Sequence, residues 1–293
     1  MEIWLTILQV LVSSYHYRLL NVFALDGQPL SGNPLCVFED ARGLDTRTMQ
    51  ALALQFNLSE TTFILPSDSA TAQVRIFTPN FEMPFAGHPT LGTAHVVREI
   101  HNAGDSLSLQ MQAGVIPVSA EGNTWTLKAN APTWRSVAAS NEQLAQMLGL
   151  QPDDIATPSL WVNVGSDQLI VPLKTVAAVQ HCKPIMDLLK QYACVNEQRC
   201  LVYVWAPRDV NAIESRFFFA KGGAIVEDPA TGSACANLGG WFIATQSALP
   251  IKKRIHQGAM VQRTSELNLQ VDAQQQIQVA GRVLDLGRGV INL

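Results

Sequence analysis

The chain has 293 residues, of which 47% are hydrophobic and 15% charged, with 19 Gly and 15 Pro. That composition excludes disordered, collagen-like and coiled-coil classes, and the length allows two domains or one large one at roughly 100–200 residues per domain. The formal charge is −4, and no basic run stands out beyond Lys252-Lys253-Arg254, so no nucleic-acid partner is expected.

The chain opens with an apolar run at residues 3–12. It is too short to span a bilayer, Glu2 stands where a secretory signal carries positive charge, and no A-x-A cleavage pattern follows. Residues 1–14 read as an extra segment before a domain that starts near Tyr15, with no membrane partner. Short β-type runs follow at residues 16–23 and 35–38. Asp45 is placed to cap a helix whose buried face is Met49, Leu52, Ala53 and Phe56. Residues 61–65 and 72–77 read as strands. After Gly87-His88-Pro89-Thr90 comes an apolar helical stretch at 91–97, with Pro89 suited to its first turn.

Strands are expected at 107–112, 115–119 and 124–128, then a short helix at 141–149 closed by a Gly. Further strands fall at 160–164, 169–173, 201–205 and 214–219, an apolar helix at 234–246, and strands again over 277–293. Helices interrupting a majority of strands favour an α+β fold over a doubly wound parallel one. Five cysteines, Cys36, Cys182, Cys194, Cys200 and Cys235, fit neither a disulfide scaffold nor a zinc motif. They read as reduced thiols of a cytoplasmic protein.

The chain repeats itself. Glu82, Pro84 and Gly87 recur 145 residues on as Glu227, Pro229 and Gly232, each trio between a Phe-containing strand and a helix of small residues. Gly32-Asn33-Pro34 has a looser echo in Gly165-Ser166-Asp167. A Gly turn that opens a helix exposes backbone N–H groups at the positive end of the helix dipole, which suits a carboxylate. Alone, each turn reads as an ordinary strand-to-helix connection; as a matched pair carrying His88 and Asp228 they suggest an anion-binding cleft. Glu60, at the end of an element, would be a general acid/base with a raised pKa if buried. The Rossmann, P-loop, zinc-protease and nucleophile-elbow fingerprints are absent from the sequence.

These residues resemble the PhzF-like family, the phenazine-biosynthesis-type isomerases with the diaminopimelate epimerase fold. The resemblance is carried by Asn21-Val22-Phe23 with Gly32-Asn33-Pro34, Ser59-Glu60-Thr61, Phe77-Thr78-Pro79, Gly87-His88-Pro89-Thr90, the run from Glu227 to Ala234, and His256-Gln257-Gly258 with Arg263. It implies two pseudo-repeated lobes, each a barrel-like sheet around a central helix. The first would cover residues 15–130, completed by a strand at about 282–293, and the second 131–281. By similarity, Glu60 is the acid/base, His88 and Asp228 are its polar partners, and Gly87, Gly232 and Ser233 receive a substrate carboxylate. The resemblance implies a homodimer and a proton-moving isomerisation of a small carboxylic acid, with no metal or organic cofactor. The paired cysteines of the epimerase relatives are replaced by Ala86 and by Ala230-Thr231, which disfavours a two-thiol racemase. A non-catalytic binding relative and a racemase of an amino or hydroxy acid stay open as alternatives.

Overall fold

The computed structural model describes residues 13–197 and 199–293, which leaves the apolar run at 3–12 outside the described residues. Ser13 and Ser14, assigned from sequence to the extra segment, join the fold instead. The Ser13 N–H donates to the Leu293 carbonyl at 2.8 Å, and Ser14 opens the first strand.

The chain runs through the same series of elements twice. In the first pass β1 (Ser14–Val22) and β2 (Asn33–Phe38) pair antiparallel, α1 (Thr46–Phe56) crosses over, and β3 (Thr61–Leu65) lies parallel to β2. β4 (Ala72–Phe77) and the short β5 (Glu82–Met83) follow antiparallel. α2 (Gly87–Ile100) then crosses, β6 (Ser106–Met111) returns parallel to β4, and β7 (Gly114–Glu121) and β8 (Thr124–Lys128) complete the meander.

β9 (Thr133–Ser136) and α3 (Asn141–Leu148) lead into the second pass. β10 (Leu160–Asn163) and β11 (Asp167–Pro172) pair antiparallel; after α4 (Val176–His181), α5 (Met186–Tyr192) and β12 (Cys194–Asn196), β13 (Arg199–Pro207) lies parallel to β11. β14 (Ala212–Lys221), β15 (Ala224–Asp228), α6 (Gly232–Ala244), β16 (Ile251–Gln257) parallel to β14, β17 (Ser265–Val271) and β18 (Ile277–Asn292) repeat the rest. The registers match: Cys36↔Thr61, Thr61↔Phe77 and Phe77↔Glu82 correspond to Leu169↔Val202, Val202↔Phe218 and Phe218↔Glu227. β18 ties the halves together, pairing first with β17 and β8 and then, from Val283 to Asn292, with β1.

Two lobes, each a barrel-like sheet around a central helix, are therefore the observed architecture. The central helices are buried on every side, α2 from His88 to Val97 and α6 from Ala234 to Ile243, as the apolar sequence with little polar face requires. α1 is capped as read, with the Thr48 N–H donating to Asp45 at 2.7 Å. α3 closes through a Ser140–Gln143 capping box and a left-handed Gly149.

Three readings need correction. α2 begins at Gly87 rather than at the apolar stretch, because Gly87, His88 and Pro89 already form its first turn. Residues 277–292 are one long strand, because the two halves share it. The five thiols are not all reduced: Cys194 and Cys200 face each other across the β12–β13 pair, 3.8 Å apart at Cα, and are joined as a disulfide. Their partnership depends on a strand register that spacing alone does not disclose, and the cytoplasmic reading loses that support. Cys36, Cys182 and Cys235 are free and buried. Among the described residues no helix is long and apolar enough to cross a membrane.

Gly92 shows how tightly α2 is enclosed: a Cβ there would lie 2.5 Å from Leu35 Cδ2 and 2.9 Å from Val22 Cγ2. Alanine is the better helix former by about 1 kcal/mol, but overpacking a core costs about 1–3 kcal/mol. Gly92→Ala should therefore lower the urea midpoint; an unchanged or raised midpoint would show that the sheet yields.

Candidate active site

The geometry of the site begins with two uncapped helices. The residues preceding α2 and α6, Ala86 and Thr231, make no side-chain capping bond to their helices. The two helices meet head to head: a Cβ on Gly87 would lie 3.9 Å from the Gly232 Cα, and one on Gly232 would lie 3.9 Å from the His88 nitrogen. Backbone N–H groups at Gly87, His88, Gly232 and Ser233 thus converge at the positive ends of two dipoles, a natural seat for an anion. Beneath Gly232 lies the buried ring of Phe23, 3.3 Å from where its Cβ would be. Phe23 has φ 62, a strained backbone for an aromatic residue.

Each turn is held by the same clamp. Arg75 makes a bidentate pair with Glu82 at 2.7 and 2.6 Å, and Arg216 does so with Glu227 at 3.1 and 2.7 Å. The guanidinium groups stack over Phe77 and Phe218, 5.0 and 4.6 Å from the ring centres. The repeated glutamates Glu82 and Glu227 are thus scaffold rather than chemistry.

Glu60, the residue before β3 in the first lobe, brings its Oε2 to 3.5 Å from His88 Nδ1. Asp228 comes from the end of β15 in the second lobe. Its carboxylate accepts from Asn33 Nδ2 at 2.9 Å and from Thr231 Oγ1 at 2.5 Å. Gln257 ties this corner together, donating to the Asp228 carbonyl at 2.9 Å and to Thr231 Oγ1 at 3.0 Å. Ser233 Oγ accepts from Gln168 at 2.9 Å, and Asn237 fixes Gln168 in turn at 2.8 Å. Glu60 Oε2 and His88 Nε2 are buried with no hydrogen-bond partner among the described residues, the condition of groups awaiting a ligand.

Burial governs the protonation states. It pushes Glu60 up to about 8, helped by the charge of Asp228 and opposed by Lys221. Burial also holds His88 down to about 3, against a hydrogen bond to the Pro34 backbone, so its imidazole is neutral. Asp228 is raised by burial to about 6, the bonds from Thr231 and Asn33 restraining the rise. Near neutrality the site holds a protonated Glu60, a neutral His88 and a largely ionised Asp228. Burial pushes the Cys235 thiol far up, so it is no nucleophile. Among the described residues no three His, Cys, Asp or Glu side chains cluster as a metal ion requires.

All six residues singled out from sequence, Glu60, His88, Asp228, Gly87, Gly232 and Ser233, therefore lie around this junction. Sequence reasoning gave no role to Asn33, Gln257, Gln168 or Asn237. The echo of Gly32-Asn33 in Gly165-Ser166 pointed at the first of them, since both glycines take positive φ at the start of equivalent strands, 83 and 131°.

Residues 20–290 match the family model described as phenazine biosynthesis-like protein, PhzC-PhzF. An uncharacterized isomerase of Pasteurella multocida is 40% identical over 95% of this chain and 94% of its own. A trans-2,3-dihydro-3-hydroxyanthranilate isomerase of Pseudomonas chlororaphis is 33% identical over 95% of this chain and 100% of its own. In fold, the chain superposes on the Bacillus anthracis phenazine biosynthesis protein of the PhzF family with a TM-score of 0.83, at 24% identity, over 95% of this chain and 99% of that one. A hydroxyproline epimerase of Agrobacterium vitis shares the fold more distantly, with a TM-score of 0.60 at 11% identity over 96% of this chain and 93% of that one. The paired lobes, the facing helix ends and this match over nearly the whole sequence make the chain a member of the PhzF-like phenazine biosynthesis family.

Proposed function

We propose that this isomerase moves one proton between two carbons of a small carboxylic acid, with Glu60 acting first as base and then as acid. The observation that carries the reading is the unpartnered Glu60 Oε2 and His88 Nε2, buried beside two uncapped helix ends. The substrate carboxylate sits on the N–H groups of Gly87, His88, Gly232 and Ser233. Glu60 takes a proton from one carbon, the negative charge spreads through the unsaturated acid toward the helix ends, and Glu60 returns the proton at another carbon. Neutral His88 orients the Glu60 carboxyl, and Asp228, anchored by Asn33 and Thr231, positions the polar end of the substrate.

The racemase reading needs a second proton carrier facing Glu60. The strand register places Leu201 where the second lobe would supply one, because Thr61 and Val202 are equivalent. Asp228 is committed as an acceptor to two donors. A single-carboxylate shift on one face of the substrate is the better fit. Trans-2,3-dihydro-3-hydroxyanthranilate, named in the Pseudomonas chlororaphis relative, is the first substrate to test.

Glu60→Gln should fold and lose turnover by about a thousandfold or more, in keeping with removal of a general base and acid. Deuterium uptake from deuterated water into the test acid measures this. Full exchange in the variant sinks the assignment, and tight binding without exchange in the wild type favours a non-catalytic binder.

The base form of Glu60 is needed to begin the reaction, so kcat/KM should rise with pH and level off above about 8. A flat profile from pH 6 to 9 would contradict it.

Folding stability should respond in the opposite sense. A carboxyl raised from 4.5 to about 8 in the folded state contributes fully below about 4.5, and its contribution is lost as pH rises toward 8. Glu60→Gln should therefore be more stable relative to wild type at pH 8 than at pH 5, by on the order of a few kcal/mol. Urea unfolding at the two pH values measures the difference, and a pH-independent gap would refute the buried, raised carboxyl.

A further inference from the structure

Buried amides fix the direction of the hydrogen bonds at the α6 N-terminus. A backbone N–H can only donate and a backbone carbonyl can only accept, so an amide side chain held between the two has one orientation. Asn237 is held in this way: its Oδ1 accepts from the Val164 N–H at 3.0 Å, and its Nδ2 donates to the Ser166 carbonyl at 2.8 Å. The second Nδ2 hydrogen goes to Gln168 Oε1 at 2.8 Å. Gln168, buried on β11, is thereby turned so that its Nε2 donates to Ser233 Oγ at 2.9 Å and to Ser166 Oγ at 3.4 Å. Ser233 and Asn237 stand four residues apart on one face of α6, and Gln168 spans them.

The same device operates two residues earlier, and there its end is visible. Gln257 Oε1 accepts from the Thr231 N–H at 3.3 Å and its Nε2 donates to the Asp228 carbonyl at 2.9 Å, which again leaves one orientation. Nε2 also donates to Thr231 Oγ1 at 3.0 Å, so the one hydroxyl hydrogen is left to point at the Asp228 carboxylate, 2.5 Å away. Each glutamine thus makes its hydroxyl an acceptor on one side and a donor on the other. At Thr231 the protein supplies the acceptor for that donor. At Ser233 it supplies none: among the described residues the hydroxyl bonds only to Gln168, and its hydrogen has no acceptor. Ser233 is half-buried, at the same junction where Glu60 Oε2 and His88 Nε2 lie without partners.

We propose that Asn237 and Gln168 are positioning residues that set the Ser233 hydroxyl as a donor, and that the substrate atom meeting it is an acceptor. This rests on the carboxylate seat proposed above and gives it one further hydrogen bond, from the Ser233 hydroxyl beside the backbone N–H groups. It also fixes which end of the substrate lies here: an ammonium, which can only donate, finds no partner in a hydroxyl held this way.

Calorimetric titration of the full chain with benzoate, a carboxylate on an unsaturated ring, tests it. Ser233→Ala should weaken benzoate about tenfold. Gln168→Glu keeps the size and shape of the side chain but, when ionised, can only accept, so it should turn the hydroxyl away from the ligand and weaken benzoate about tenfold or more. Once Ser233 is alanine, Gln168→Glu retains only the part of its loss that comes from its charge. The double variant should therefore bind about tenfold tighter than the product of the two single losses predicts. Charge repulsion or general distortion alone would be felt equally in both backgrounds. Gln168→Leu carries no charge and frees the hydroxyl without reversing it. It should weaken benzoate about threefold, with no further loss in the Ser233→Ala background, and the cycle is read on this variant if thermal melts show that Gln168→Glu does not fold. Undiminished binding by Ser233→Ala, or losses that multiply in the double variants, overturns the positioning role and leaves the backbone carboxylate seat and the Glu60 chemistry standing. If the wild type does not bind benzoate, the seat fails and the positioning role with it.

Discussion

Two buried helices with their N-termini pointed at each other form an arrangement that a protein does not tolerate without compensation. Each end carries about half a positive charge, and here neither is neutralised by a capping side chain. The nearest standing compensation is Asp228, whose carboxylate is itself bonded by Asn33 and Thr231 at the same junction. The substrate carboxylate proposed for this junction would complete it. The barrels, the Arg–Glu clamps on both turns and the shared strand β18 all serve to hold these two ends together against their own repulsion.

The duplication explains why the scaffold is symmetric and the chemistry is not. Arg75–Glu82 and Arg216–Glu227 occupy matching places and do the same mechanical work. Around the junction of the helix ends the two lobes have parted: Glu60 answers to Leu201, and the strand register sets Asn33 against Ser166. The 145-residue offset sets Met83 against Asp228 and His88 against Ser233. The glycines Gly87 and Gly232 remain equal where the helix ends meet; a Cβ on Gly87 would make an ordinary 3.9 Å contact with the Gly232 Cα, and one on Gly232 would crowd the Phe23 ring at 3.3 Å. Divergence around the junction with retention at the clamps makes an asymmetric site out of a symmetric cradle, and the single-carboxylate proposal rests on that asymmetry.

What the sequence displayed was local. The Glu, Pro and Gly of each turn, the Asp45 cap and the Gly149 that closes the helix after Asn141 lie within a few residues of what they organise, so their spacing is enough to find them. Glu60 stood out through its motif, but its protonation state depends on burial by distant segments. The bridge from Asn33 to Asp228 joins residues far apart in the chain, and the Cys194–Cys200 pair needs the β12–β13 register. Lys252-Lys253-Arg254, the one basic run of the sequence, is the exposed middle of β16, and the buried Ile251 and Ile255 on either side are what set it in a strand. α4 and α5 span only 6 and 7 residues, too few turns for a helical period to emerge from the pattern.

Protonation couples the two ends of the proposed substrate site. An anion arriving at the helix ends adds a negative charge near Glu60, which makes its proton harder to remove, in the same direction as burial and Asp228 already act. A base held so far toward its acid form would be idle. Lys221 acts in the opposite direction, and its field is least screened when a ligand excludes water from the cleft. The positive charge of Lys221 thus offsets part of the rise that burial, Asp228 and an arriving anion impose on Glu60, and so keeps the carboxyl nearer to the base form that the proposed reaction needs.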